Sequence, residues 1–146
     1  MATINRTANA VWNGNLKSGD GRIDTTSGIL KQTPYSFTTR FEDSPGTNPE
    51  ELLAASHAAC YSMAFALTLS NKGYQPASID TRPVCTLESQ ADGSFKITKI
   101  HLETKGQVPD MNAETFQQIA QEAEAVCVIS NALRQGVEIE LDASLA

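Results

Sequence analysis

The chain has 146 residues, 11 Lys and Arg against 17 Asp and Glu for a formal charge of −6, and 40% hydrophobic residues. That length suits one ordinary globular domain spanning residues 1–146, and the composition argues against disordered or fibrous classes. The acidic balance argues against nucleic acid or an anionic membrane as partner, because both reward basic surfaces.

At the N-terminus, MATINRTANAVWNG has no apolar core after Arg6, so no secretory signal is expected. NAVWNG reads as a short strand ending in a turn, and GDGRIDTTSG as a second strand bracketed by glycines. In PYSFTTRFE, Tyr35, Phe37, Thr39 and Phe41 alternate with Ser36, Thr38 and Arg40, which predicts a third strand with an apolar inner side. EDSPGTN then breaks the chain.

The first helix has clear start signals. Asn48 suits the N-cap, Pro49 the first helical position, and Glu51 the third, where it can complete a capping box. The helical pattern runs to Lys72–Gly73. Leu52 to Asn71 carries no charge, and about 20 such residues can cross a bilayer. Its Ser56, His57, Ser62, Thr68, Ser70 and Asn71, and its many alanines, favour instead a helix buried inside a protein.

Two further strands follow in SIDTRPVCTLES and FKITKIHLETKGQV, joined by a turn at QADGS. Asn112 suits the cap of a second helix, on which Phe116, Ile119, Ala120, Ala123 and Cys127 form an apolar stripe. Val126 to Ile129 is apolar all round, which predicts a bend or split there. GVEIELDASL closes the chain as a strand. The order βββ-α-ββ-α-β predicts an α+β fold with two helices against antiparallel sheets.

Three cysteines without a C-x-x-C pair, Cys60, Cys85 and Cys127, fit a reducing cytoplasm and no four-cysteine zinc ribbon. Cys85 reads as a strand residue, whereas Cys60 and Cys127 fall on helix faces that should point inward. Periodicity leaves two readings of that pair open: core packing, or redox chemistry if the Cα atoms approach to about 4.4–6.8 Å. A reactive thiol must ionise, and an apolar site opposes this, so a cation must come to it. His57 lies three residues before Cys60. Its simplest reading is a satisfied helix histidine; with Cys60 it also makes two of the ligands a metal would need, and the others are missing.

TNPEELLAASHAACYSMA, the upstream PYSFTTRFE and the later AVCVISNAL resemble the OsmC/Ohr family, and its OsmC branch more closely. The likeness spans nearly the whole chain and rests above all on N-P-E followed ten residues later by A-A-C. The resemblance implies antiparallel sheets around long central helices in an intertwined homodimer. It also implies a cofactor-free thiol peroxidase that reduces organic hydroperoxides to alcohols. By position, Cys60 would be the peroxidatic thiol, Cys127 the resolving thiol, Glu50 the carboxylate and Arg40 the guanidinium, with Arg22 in reserve. The reductant implied is a dithiol, lipoyl-type among the candidates. One departure is Val128, where the family usually has proline after the second cysteine.

An arginine beside Cys60 would favour thiolate, bind the peroxide oxygens and stabilise the departing alkoxide, while Glu50 would fix its fork. Glu50 and Cys60 lie about 15 Å apart along one helix and roughly 80° apart around it. A relay within one chain would be strained, so shared sites across a two-fold axis are expected. The rival readings are a non-catalytic module that binds an apolar ligand or senses redox state, and a hydrolase using a metal on His57 and Cys60.

Overall fold

A computed structural model describes all residues, Met1–Ala146. The chain divides into two compact units, Met1–Leu52 and Leu53–Ala146.

In the first unit, β1 (Ala8–Asn13), β2 (Asp20–Thr25) and β3 (Thr33–Ser36) form an antiparallel sheet in that order. Trp12 and Tyr35 both pair with Gly21, and their rings stand 5.4 Å apart. A Cβ on Gly21 would run into both rings, so only glycine permits this packing.

The strand expected to continue through Phe41 stops at Ser36 and gives way to a short helix, α1 (Phe37–Phe41). Two causes are visible. The partner strand ends where Asp20 pairs with Ser36, so residues beyond have no ladder to join. Ser36 and Thr39 meanwhile make a reciprocal cap: Thr39 N–H donates to Ser36 Oγ (3.3 Å) and Ser36 N–H to Thr39 Oγ1 (3.0 Å). Phe37 and Phe41 stay on one side, 5.0 Å between rings, because i and i+4 share a face in helix and strand alike.

Next comes α2 (Pro49–Asn71). Asn48 caps it as expected, accepting from Glu51 N–H (2.8 Å). The Glu51 carboxylate does not close the capping box; it accepts from Thr47 Oγ1 (2.8 Å). By length and composition α2 could cross a membrane. Its Tyr61, Phe65 and Leu69, at every fourth position, are nevertheless fully buried against protein.

The second unit holds the sheet β4 (Ser78–Ser89), β5 (Phe95–Gln107) and β6 (Glu138–Leu145). β4 and β5 form a long antiparallel hairpin with an irregularity at Thr86/Leu87. β6 departs from the all-antiparallel expectation and pairs parallel with β5. The helices α3 (Ala113–Val126) and α4 (Val128–Leu133) carry the chain back to the start of β5, as a crossover to a parallel neighbour requires. Phe116 and Ile119 from α3, Ile100 and Leu102 from β5, and the α2 stripe form one core. The Tyr61, Phe65 and Phe116 rings stack in sequence at 5.8 and 4.9 Å.

Asn112 caps α3 as expected, accepting from Thr115 N–H (2.8 Å). The split predicted in the apolar run falls at Cys127, whose φ of −64° and ψ of 119° lie outside the helical range. Cys127 is therefore not on a helical stripe but at the joint between α3 and α4. Val128 is the first residue of α4, a position that suits proline, and the extended Cys127 is the conformation a following proline demands. Val128→Pro is accordingly expected to stabilise the protein by roughly 0.4–1 kcal/mol through the unfolded chain. A rise in thermal midpoint checks this; a fall would mean that the valine packs or bonds in a way proline cannot.

Candidate active site

The α3–α4 break aims Cys127 at α2. Its Sγ lies 3.4 Å from Sγ of Cys60, with the Cys127 S–H as donor. Forming a bond of about 2.05 Å needs the sulfurs to close by only about 1.3 Å. Cys127 is fully buried and Cys60 half-buried, and neither is in a disulfide. Burial pushes the Cys127 thiol up, the Ser130 amide and hydroxyl pull it down, and the Cys60 sulfur adds to the rise. Cys127 thus keeps its proton and offers it to Cys60.

A second buried pair closes the same cluster. His57 Nε2 lies 2.7 Å from Ser130 Oγ, both residues fully buried, while His57 Nδ1 is buried with no hydrogen-bond partner. Desolvation holds the His57 pKa below its usual value despite the nearby Glu124 carboxylate. Tyr61, one turn further along α2, donates to Ala120 O (3.0 Å). The imidazole therefore faces Ser130, a residue that no sequence motif singles out. Ser130 stands three residues after Cys127, as the third residue of α4.

In the first unit Arg40 grips Glu50. Nη2 donates to Oε1 at 2.7 Å, and Nε to both carboxylate oxygens at 3.2 Å. The Glu50 side chain is only 11% exposed, that of Arg40 37%, and the guanidinium carbon lies 5.1 Å from the centroid of the Phe41 ring. Arg22 is engaged elsewhere, with Asp20 (3.4 Å) and the Gly21 carbonyl (2.8 Å). Cys85 lies on β4, packed against the core. No group of three or more His, Cys, Asp or Glu gathers in a metal-ligating arrangement. A groove of about 550 Å³ bordered by Asp80, Arg82, Glu103 and Lys105 contains neither of the paired thiols.

Residues 41–142 match the family model described as OsmC-like protein. The chain belongs to the OsmC-like protein family. It is 48% identical to "Peroxiredoxin OsmC" of Escherichia coli (strain K12) over 98% of both chains. It is 29% identical to "Organic hydroperoxide resistance protein OhrB" of Bacillus subtilis (strain 168), covering 84% of this chain and 88% of that one. An OsmC crystal structure from Legionella pneumophila shares the fold, with a TM-score of 0.78, 24% identity and 99% coverage of each chain. In this OsmC-like chain the matched region takes in Glu50, Cys60 and Cys127 but starts one residue after Arg40. What ties Arg40 to the matched region is its ion pair with Glu50.

Proposed function

We propose that this protein is a two-cysteine peroxidase that reduces organic hydroperoxides to alcohols. The observation that carries this reading is the 3.4 Å approach of the Cys60 and Cys127 sulfurs, and the names of its relatives supply the substrate class. The Cys60 thiolate attacks the distal peroxide oxygen, the O–O bond breaks, and the alkoxide leaves as ROH once protonated. Cys60 is left as a sulfenic acid. Cys127 condenses with it, forming the disulfide and releasing water. A dithiol then reduces the disulfide by exchange, with lipoyl-type dithiols fitting a reducing compartment such as the cytoplasm.

Arg40 supplies the permanent charge that holds the peroxide and stabilises the departing oxygen, and Glu50 fixes its direction. The sites are shared in a homodimer. In favour, α2 is continuous, so Glu50 and Cys60 of one chain stand about 15 Å apart along it. The same helix also leaves Met63 and Leu67 73% and 60% exposed, apolar surface for a second copy to cover.

Intact mass tests the chemistry. One equivalent of cumene hydroperoxide should yield one cumyl alcohol and remove two hydrogens per chain, located by peptide mapping to Cys60–Cys127. Thiols that stay reduced with no alcohol formed would leave a binding or sensing module as the better reading.

A further inference from the structure

A disulfide between Cys60 and Cys127 forms only when the two sulfurs are aligned, and apolar packing by itself is non-directional. What supplies direction here is polar. Two hydrogen bonds cross from α2 to the α3–α4 segment, and they straddle the facing thiols. His57, three residues before Cys60, meets Ser130, three residues after Cys127, with Nε2 2.7 Å from Oγ. Tyr61, one residue after Cys60, donates its hydroxyl to the carbonyl of Ala120, seven residues before Cys127, at 3.0 Å. One bond holds the α4 side of the break and the other holds the α3 side.

Both ends of this arrangement are stiff. His57 and Tyr61 stand four residues apart on a continuous helix, about 6 Å along its axis, and so share one face. The opposite segment is fastened to itself across the break. Asn131 N–H donates to Cys127 O (3.0 Å), and the Asn131 side-chain amide donates to Ala125 O (3.0 Å). Arg134 Nη2 donates to the Glu124 carboxylate at 2.9 Å. Cys127 therefore moves with its neighbours, and whatever holds Ala120 and Ser130 holds its sulfur.

His57, Tyr61, Ala120, Cys127 and Ser130 are all fully buried. In such a setting a lost partner leaves the other group unsatisfied, which makes each bond costly to break. The imidazole has no second anchor. Its Nδ1 is without a partner, and an orphaned buried N–H is costlier than an under-used acceptor, so the proton sits on Nε2 and His57 donates to Ser130.

Resting on the peroxidase reading, we propose that His57 and Tyr61 are positioning residues that clamp the α3–α4 break on both sides, through Ser130 and Ala120, and so hold the Cys127 sulfur in line with Cys60 for disulfide formation. Neither exchanges a proton with the sulfurs. With both bonds intact the thiols stand 3.4 Å apart. With one lost, the break swings about the other, and a misplacement of about 1 Å costs on the order of 10²-fold in a step that depends on alignment.

Two measurements decide the matter. The first uses no hydroperoxide: the chain is equilibrated with oxidised and reduced glutathione. One oxidised glutathione and the Cys60 and Cys127 thiols exchange for two reduced glutathiones and the disulfide, which intact mass reads as two hydrogens lost. A Cys85→Ser background keeps the third thiol out of the count. There, Ser130→Ala, His57→Leu and Tyr61→Phe should each lower the equilibrium constant for the disulfide about tenfold. His57→Gln, whose amide N–H can stand in for Nε2–H, should recover most of the loss. Leu69→Ala opens the same buried stripe of α2 about 13 Å along the helix from Cys60, and should leave the constant within about twofold. In the second measurement, disulfide formation after one equivalent of cumene hydroperoxide should slow about tenfold relative to alcohol release in Ser130→Ala and Tyr61→Phe. An unmoved constant in folded Ser130→Ala or Tyr61→Phe, each of which removes a single oxygen, would overturn the clamp. So would an equal loss in Leu69→Ala, which would mark general loosening of the core. The glutathione equilibrium decides this inference even if the second measurement yields no alcohol and the peroxidase reading falls.

Discussion

Serine at position 60 is expected to abolish hydroperoxide turnover, while serine at position 127 leaves a single turnover and no disulfide. The asymmetry follows from the two sulfurs' surroundings. Cys60 is the more accessible, and Cys127 is fully buried, pushed up by that burial and donating its S–H to Cys60. A substrate peroxide therefore meets Cys60 first. Serine there cannot act as nucleophile at neutral pH without a base to activate it, so the loss should be at least about a thousandfold. With Cys127→Ser, Cys60 still reacts once and then stays as sulfenic acid, open to further oxidation. Stopped-flow alcohol release would show a burst of one per chain followed by arrest, and a sulfenic-acid trap would label Cys60. Added small thiol should restore turnover to Cys127→Ser and not to Cys60→Ser. Equal residual turnover in the two variants would contradict the assignment of roles.

Short-range chemistry makes much of this architecture readable in the sequence alone. The caps at Asn48 and Asn112 are legible because a polar side chain facing the third helical amide is a local event. The split at Cys127 is legible because an all-round apolar run cannot keep one face inward. The stretch from Phe37 to Phe41 misleads because residues four apart share a face in strand and helix alike; what decides is whether a neighbouring strand is present, and β2 ends too early. The parallel direction of β6 is hidden for a similar reason, being set by the path of α3 and α4 rather than by residues within the strand. At the site, periodicity alone leaves the facing thiols as one of two possibilities, and the Arg40–Glu50 pair comes from resemblance. The His57–Ser130 contact has no local signal, because a hydrogen bond between residues so far apart depends on the packing of α2 against α4.

The second large effect concerns Arg40, and it tests the sharing of sites as well as the residue. Arg40→Ala should lower the rate of alcohol formation by about 10²–10³, the usual loss when one donor to a developing oxyanion is removed. Arg40→Lys keeps the charge but not the fork that Glu50 grips through Nε and Nη2, and should still lose about tenfold or more. Because removing the arginine strands a nearly buried Glu50 carboxylate, thermal midpoints must be measured alongside, and Arg40→Lys is the gentler probe. The decisive experiment mixes two crippled chains. Cys60→Ser keeps Arg40, and Arg40→Ala keeps Cys60. If each site takes its thiol from one chain and its guanidinium from the other, a mixed two-fold dimer has one intact site. Random re-pairing then restores about a quarter of the parent's activity. If both groups come from the same chain, every site in the mixture lacks one of them and the activity stays at the level of the separate variants. The same re-pairing with Cys60→Ser and Glu50→Gln should also recover activity, because the carboxylate and the guanidinium it orients travel on one chain.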